Sequence, residues 1–401
     1  MIDVAPTSDF GWYFDRAKEI AAGAGYAEGG VLTAFWPVGW PGFLGGLLRL
    51  FGPHVVVGQC ANLVLSTLNV CLVAAIGRRL FPSSGVWRLA ALLIAVLPNQ
   101  IGYVPLLSVE IFFEFLLLLG FLMMLSQSSV ALLAAGLVFG VAALTKSQAV
   151  FLPVLIALPL LIFRAGWRGL GAYVRTVALT SVAMMVVIVP WITRNYAVFD
   201  AFIPISTNGG YTLLTGNNPS ARGGFTPGDT LVTDLSTDPR NQVQTDRVAR
   251  ERAWHWIEQN KVAFLKLIPA KVWLLWSGDG EAEWMYQKGY RDYETYRVLF
   301  RAVRALNQMI YWVVLGLSIV SLPALLRRRR SLPVWSYSGW CLMAYFTMIS
   351  IVFSGQSRFH FALMPFIALY AAWAVTSGGA ALATRRESGQ MVSTWRGRPT
   401  P

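Results

Sequence analysis

Val189-Pro190-Trp191-Ile192-Thr193-Arg194-Asn195-Tyr196 is the stretch on which the reading of this chain turns. A long apolar run stops there at a charged, aromatic corner. The longest polar stretch of the protein follows, up to about Asn307. A guanidinium immediately beyond an apolar helix is either an interfacial anchor or an anion site. The side of the membrane it faces decides between the two.

That a membrane is involved follows from composition. The 401 residues are 55% hydrophobic and only 13% charged, with a mean hydropathy of +0.53, which describes a polytopic membrane protein. Several apolar runs approach the roughly 20 residues needed to cross a bilayer. A net charge of +13 would suggest nucleic acid in a soluble chain, but in a membrane protein basic residues first set topology, so no nucleic-acid partner is expected. Cys60, Cys71 and Cys341 lie in apolar runs without metal spacing and report neither disulfides nor a metal. His54, His255 and His360 are too scattered for a zinc cluster. No internal repeat stands out, and no stretch reads as a cleavable signal peptide.

Working outward from the corner, spans are predicted at 55–77, 88–106, 109–126, 130–145, 149–164 and 176–193, and beyond the polar stretch at 308–326, 333–354 and 359–378. The expected fold is an all-α polytopic membrane protein of about nine visible transmembrane helices. Residues 1–54 read as a first outer loop with interfacial helices. Asp9 is placed to cap a helix through Asp15–Ala22, ended by Gly23 and Gly25. Phe35–Phe43 reads as an interfacial turn, and Leu44–Phe51 as a segment along the surface. Residues 55–193 form the first part of the bundle, 194–307 a larger outer region, 308–378 the second part, and 379–401 a disordered cytoplasmic tail. Within the outer region 262–276 is apolar but broken by Lys266, Pro269 and Lys271, and reads as interfacial.

Charge counting orients the bundle. Arg78, Arg79 and Arg88 share one loop, and Arg164, Arg168 and Arg175 another. Arg327–Arg330 form a run, and Arg385 and Arg386 follow the last span. All four groups fall on one side, the cytoplasmic side by the positive-inside rule. The first visible span then runs inward with nothing before it to carry the N-terminus across, so an upstream helix is expected to be missing from the given start.

Five charged residues sit on the opposite, outer side. Lys146 and Arg194 follow spans, Arg358 opens the last one, Glu110 opens another, and Asp9 belongs to the first outer loop. Each has a plain structural explanation: snorkelling for Lys146 or Arg358, an N-terminal helix acid for Glu110, a cap for Asp9, carbonyl hydrogen bonds for Arg194. Together they put three cations and two carboxylates where cations should be scarce, at a depth where charge is costly unless paired or facing a wet cavity. Transfer from a lipid-linked phosphate needs this set: cations to hold the phosphate and stabilise the leaving group, and a carboxylate to take the acceptor's proton. A divalent cation held by Asp9 and Glu110 is compatible with it and not required. No Gly-rich loop followed by Lys-Ser/Thr appears, so a soluble nucleotide donor is not indicated.

These residues resemble the integral-membrane GT-C glycosyltransferases, in particular the group of protein O-mannosyltransferases and lipid A aminoarabinose transferases. Asp9 with Tyr13 and Ala17, then Gly23 and Gly25-Tyr26, is similar to that family's first outer loop, and Trp36-Pro37-Val38-Gly39-Trp40-Pro41 to the turn after it. Gly77-Arg78-Arg79-Leu80-Phe81 resembles its first cytoplasmic turn. Leu107-Ser108-Val109-Glu110 resembles its acidic start of a later span, with Val109 interrupting the usual adjacent Ser-Glu. The corner itself, with Ser206–Gly210 and Gly216–Pro219, is the most specific part, and Arg358-Phe359-His360 with Pro365-Phe366 resembles a late motif. Lys146 stands where many relatives carry Arg-Pro.

The resemblance implies a polyprenyl-phosphate sugar donor and an inverting transfer to a lipid, glycan or protein acceptor on the outer face, in a bacterial inner or plasma membrane. It implies Asp9 as general base, Arg194, Arg358 and Lys146 at the donor phosphate, Glu110 as a second acid, and Tyr13, Asn195 and His360 in support. A transporter or flippase is the competing class, but inverted repeats and midplane charges are missing. A non-catalytic scaffold of a glycan-assembly system is another.

Overall fold

The computed structural model describes residues 4–81, 84–164 and 166–376. The expected tail at 379–401, with Arg385 and Arg386, lies outside the described residues. The chain is predominantly helical, and α1 (Ser8–Ala21) and α2 (Gly39–Phe51) pack against each other ahead of the bundle. Between them β1 (Ala27–Glu28) and β2 (Val31–Leu32) pair antiparallel, Ala27 opposite Leu32. The two-residue link Gly29-Gly30 has φ 59° and 82°, the left-handed pair that a tight hairpin needs and that glycine adopts freely.

The bundle then runs through α3 (Val55–Leu80), α4 (Ser84–Val96), α5 (Pro98–Gly102), α6 (Glu110–Met124), α7 (Ser129–Thr145), α8 (Leu152–Phe163) and α9 (Gly166–Phe199). The segment after α9 holds α10 (Gly209–Gly216), α11 (Thr230–Thr233), α12 (Gln242–Gln259), α13 (Lys261–Trp276) and α14 (Ala282–Gly289). Then α15 (Tyr293–Arg327) and α16 (Ser338–Val352) return to the bundle, and a 3-10 helix, Ser357–Leu363, leads into a helix over 364–376. Among the described residues four segments are long and apolar enough to cross a membrane: Val55–Leu80, Gly166–Phe199, Tyr293–Arg327 and Ser357–Thr376. They make the chain an integral membrane protein.

The other expected spans are shorter helices, and three expectations change. The span at 88–106 is broken: α4 ends before Pro98, and residues 103–109 are unwound within the bundle. Backbone off the helix at that depth survives only where protein satisfies its carbonyls. Side-chain amides on α3 do so: Asn62 donates to Val104 and Leu106 O, Gln59 to Pro105 O at 3.1 Å, and Trp40 Nε1 donates to Leu107 O at 3.0 Å. The corner at Pro190 is not a corner, since α9 continues through it to Phe199. The span at 308–326 begins earlier, because α15 is 35 residues long and starts at Tyr293.

Close packing of α7 on α9 fixes the middle of the bundle. Gly136 and Gly140, four residues apart on α7, lie so near the α9 backbone at Thr180 and Met184 that a side chain at either would collide. The segment between α9 and α15 has its own small core, Leu213, Leu214, Val232, Leu235, Ala249 and Ala253. Gln242 joins it to the first loop by accepting from Ala34 N at 2.8 Å.

Candidate active site

Asp9 lies in the first turn of α1, just after Ser8, whose φ of 56° is left-handed. A non-glycine residue held there costs of order 1 kcal/mol and persists where its surroundings over-determine it. Asp9 does not cap the helix. Thr7 occupies the cap position, and Asp9 Oδ2 accepts from Arg358 Nη1 at 2.7 Å. Glu110, at the start of α6 just past the unwound segment, accepts from Lys146 Nζ at 3.2 Å, and Arg358 Nε lies 4.0 Å from the same Oε1. Four residues from four distant places in the chain thus form one alternating chain of charge: Lys146, Glu110, Arg358, Asp9.

Their exposure differs in a useful way. The Glu110 side chain is 2% exposed, Asp9 12%, Lys146 14% and Arg358 27%. Arg358 is the group most open to an arriving ligand. Glu110 Oε2 and Arg358 Nε are buried without a hydrogen-bond partner, which is uncommon for charged groups. Tyr13, one turn along α1, is buried beside them. Burial, and then the charge of Asp9, push its phenol well above the ordinary tyrosine range, so it acts as a neutral hydroxyl.

Arg194 stands apart from this chain of charge. Its guanidinium donates to Thr33 O at 2.9 Å, Tyr26 O at 3.1 Å and Asn195 Oδ1 at 3.0 Å, and lies over the Trp191 ring at 4.8 Å. Buried Asn195 donates to Ile203 O at 3.0 Å. Both tie loop backbone to the end of α9. His360 is fully buried, with Nδ1 2.7 Å from Leu275 O and its ring between those of Trp276 and Tyr311. Two acids that sequence reasoning did not single out, Asp279 and Glu281, lie against His360 and Ser357, on either side of Arg358. Their only signal was position: two acids in a short Gly-containing segment after the aromatic run ending at Trp276.

Asp9 and Glu110 do not fit a divalent ion in this arrangement. Each faces a cation, and an ion between them would add two positive charges beside Arg358 and Lys146. Among the described residues no group of three or more His, Cys, Asp or Glu is gathered as metal ligands would be.

Comparison with known proteins places the geometry. Residues 37–193 match the family described as dolichyl-phosphate-mannose-protein mannosyltransferase. No curated protein matches the chain. Among solved structures, the oligosaccharyltransferase of Archaeoglobus fulgidus in complex with Zn and sulfate matches over 97% of this chain and 47% of its own, at 15% identity and a TM-score of 0.56. The same archaeal protein, AglB, with an inhibitory peptide and a dolichol-phosphate, matches over 100% and 49%, at 13% identity and a TM-score of 0.56. ArnT from Cupriavidus metallidurans bound to undecaprenyl phosphate covers 94% and 75%, at 15% identity and a TM-score of 0.45. The chain spans about half the length of the first two. The chain thus resembles the mannosyltransferase family over 37–193, and as a whole it shares the fold of the archaeal oligosaccharyltransferase.

Proposed function

We propose that this protein is a membrane glycosyltransferase that moves a sugar from a polyprenyl-phosphate donor to an acceptor hydroxyl or amide at the membrane surface, with inversion. The observation that carries the reading is the Asp9–Arg358 pair at 2.7 Å, beside Glu110 and Lys146. It is supported by the family match, which includes Glu110 and Lys146, and by AglB, which was solved with a dolichol-phosphate.

The pair suits the task because the base and the phosphate cation are held together until the donor arrives. The donor phosphate competes with Asp9 for Arg358, and Lys146 adds a second positive charge nearby. Asp9, released from its partner, accepts the acceptor's proton as the nucleophile attacks the anomeric carbon from the face opposite the phosphate. The sugar–phosphate bond breaks, and its electron pair stays on the polyprenyl phosphate, where the cations stabilise the growing charge. Glu110 keeps Lys146 and Arg358 in place, and Tyr13 offers a hydroxyl beside Asp9. Arg194 acts at a distance, holding the first outer loop to α9. The periplasmic or exterior face, and the outer region over 194–307 as the acceptor side, belong to this proposal.

Purified protein supplied with polyprenyl-phosphate sugars should release polyprenyl phosphate and yield a glycosylated acceptor. Asp9→Asn should lower turnover about a hundredfold or more while retaining donor binding. Undiminished transfer by the variant would remove Asp9 as base.

A further inference from the structure

Arg358 is under-determined at its own head group. Nη1 reaches Asp9, but Nε is buried and hydrogen-bonded to nothing. Beyond Asp9 and the more distant Glu110, its direction depends on the backbone side, on the 3-10 helix Ser357–Leu363 that carries it. That helix has no side-chain cap from its own N-terminal residue, Gln356.

What holds it is a short loop between α13 and α14. Glu281 Oε1 accepts from both the backbone N–H of Ser357, at 3.2 Å, and its hydroxyl, at 2.8 Å. Two residues beyond Arg358, the His360 ring lies between Trp276 and Tyr311, nearly parallel to both, with centroids 5.6 and 5.0 Å away. His360 Nε2 is 3.6 Å from Asp279 Oδ1. Asp279 is itself pinned on several sides. Asn99 of α5 donates to its Oδ1, Asn307 of α15 donates to Oδ2 at 3.1 Å and to its backbone O at 2.8 Å, and its N–H donates to Gln308 Oε1 at 2.9 Å. The loop is thus anchored to two helices of the bundle and grips the 3-10 helix on both flanks of Arg358.

We propose that Glu281 and Asp279 are positioning residues that aim the Arg358 guanidinium at the donor phosphate. The proposal rests on the reading above that Arg358 meets that phosphate. It explains why two carboxylates lie beside an arginine without pairing with it: Asp9 and Glu110 compensate its charge, whereas Glu281 holds Ser357 before it and Asp279 faces the His360 ring after it.

The test separates aim from general integrity by using two ligands that differ in one group. Binding of undecaprenyl phosphate and of undecaprenol to the full chain in detergent is measured by native mass spectrometry. Glu281→Ala should weaken undecaprenyl phosphate about tenfold, the scale of one hydrogen bond to a charged group, and leave undecaprenol unchanged. Ser357→Ala, a smaller change that removes one hydroxyl, should do the same about threefold. In an Arg358→Ala background neither substitution should matter, because the group being aimed is gone. Equal weakening of both lipids, equal losses with and without Arg358, or no loss at all would overturn the proposal. If Arg358→Ala alone leaves undecaprenyl phosphate binding intact, the underlying reading of Arg358 fails instead, and that outcome is distinct.

Discussion

The two ends of the helix bundle use arginine and lysine in opposite ways. At the end where α3 stops and α9 begins, the cations meet carbonyls and rings. Arg79 donates to Leu122 O at 3.1 Å, Arg175 to Gln127 O at 2.9 Å, and Arg78 lies 3.9 Å over the Trp87 ring. Among the described residues none of these three is within ion-pair distance of a carboxylate, and their charge remains available to the membrane surface. At the end where α6 starts and α7 stops, Lys146 and Arg358 are largely buried and interlocked with Glu110 and Asp9. One end carries charge that places a helix in a bilayer. The other holds charge out of water, which is expensive unless the arrangement is used.

Substitutions that strike each end should separate the two roles. The largest effect on stability is expected from Lys146→Met, which leaves Glu110 buried without its closest cation. A loss of about 3–5 kcal/mol, read by thermal unfolding, is the cost of breaking such a pair from one side. Adding Glu110→Leu should recover part of it. A variant as stable as the parent would show that water already reaches Glu110.

Lys271 of α13 offers an intermediate case. It is fully buried, donating to Asn217 Oδ1 at 2.7 Å and Ile351 O at 3.0 Å, with no carboxylate among those partners. Burial pulls its ammonium down from the ordinary 10.5 to about 8. Above pH 8 the folded chain sheds this proton, while the unfolded chain keeps it to about 10.5. Stability should therefore rise with pH across that window, and the penalty should be complete below it. Lys271→Met should flatten that part of the pH–stability curve. The smallest effect belongs to the basic end: Arg175→Ala, at an exposed site, should cost less than about 1 kcal/mol and leave transfer activity as it was.

The helical, membrane-spanning character, the basic loops and the outlying cations were legible in the sequence because these are local properties of hydropathy and charge. Asp9 and Arg358 were legible as members of one set only through side counting and family likeness, since a contact across 349 positions leaves no local trace. Arg194 lies apart from the other charges for a physical reason. Pro190 looks like a stop, yet the helix carries on past it, so the guanidinium emerges where loop carbonyls, rather than the other charges, are in reach. The unwound segment at 103–109 was hidden inside an apolar run, because its support comes from amides on another helix, Gln59 and Asn62. Asp279 and Glu281 were hidden for the same reason: their partners lie on α5, α15 and the 3-10 helix.

The continuation of α9 through Pro190 also gives the membrane a mechanical hold on the site. Its 34 residues make a rod about 50 Å long, against roughly 30 Å of hydrocarbon. The last turns of that rod carry Trp191, Arg194 and Asn195, which fasten Ile205, Thr33, Tyr26 and Ile203 by their carbonyls. The segment ahead of the bundle therefore hangs from a mast stepped in the bilayer. When lipid thickness changes and the mast leans to match it, the loop that carries Asp9 leans too. Bilayer thickness is thereby coupled to the tilt of the loop that carries Asp9, along a helix rather than through any ligand.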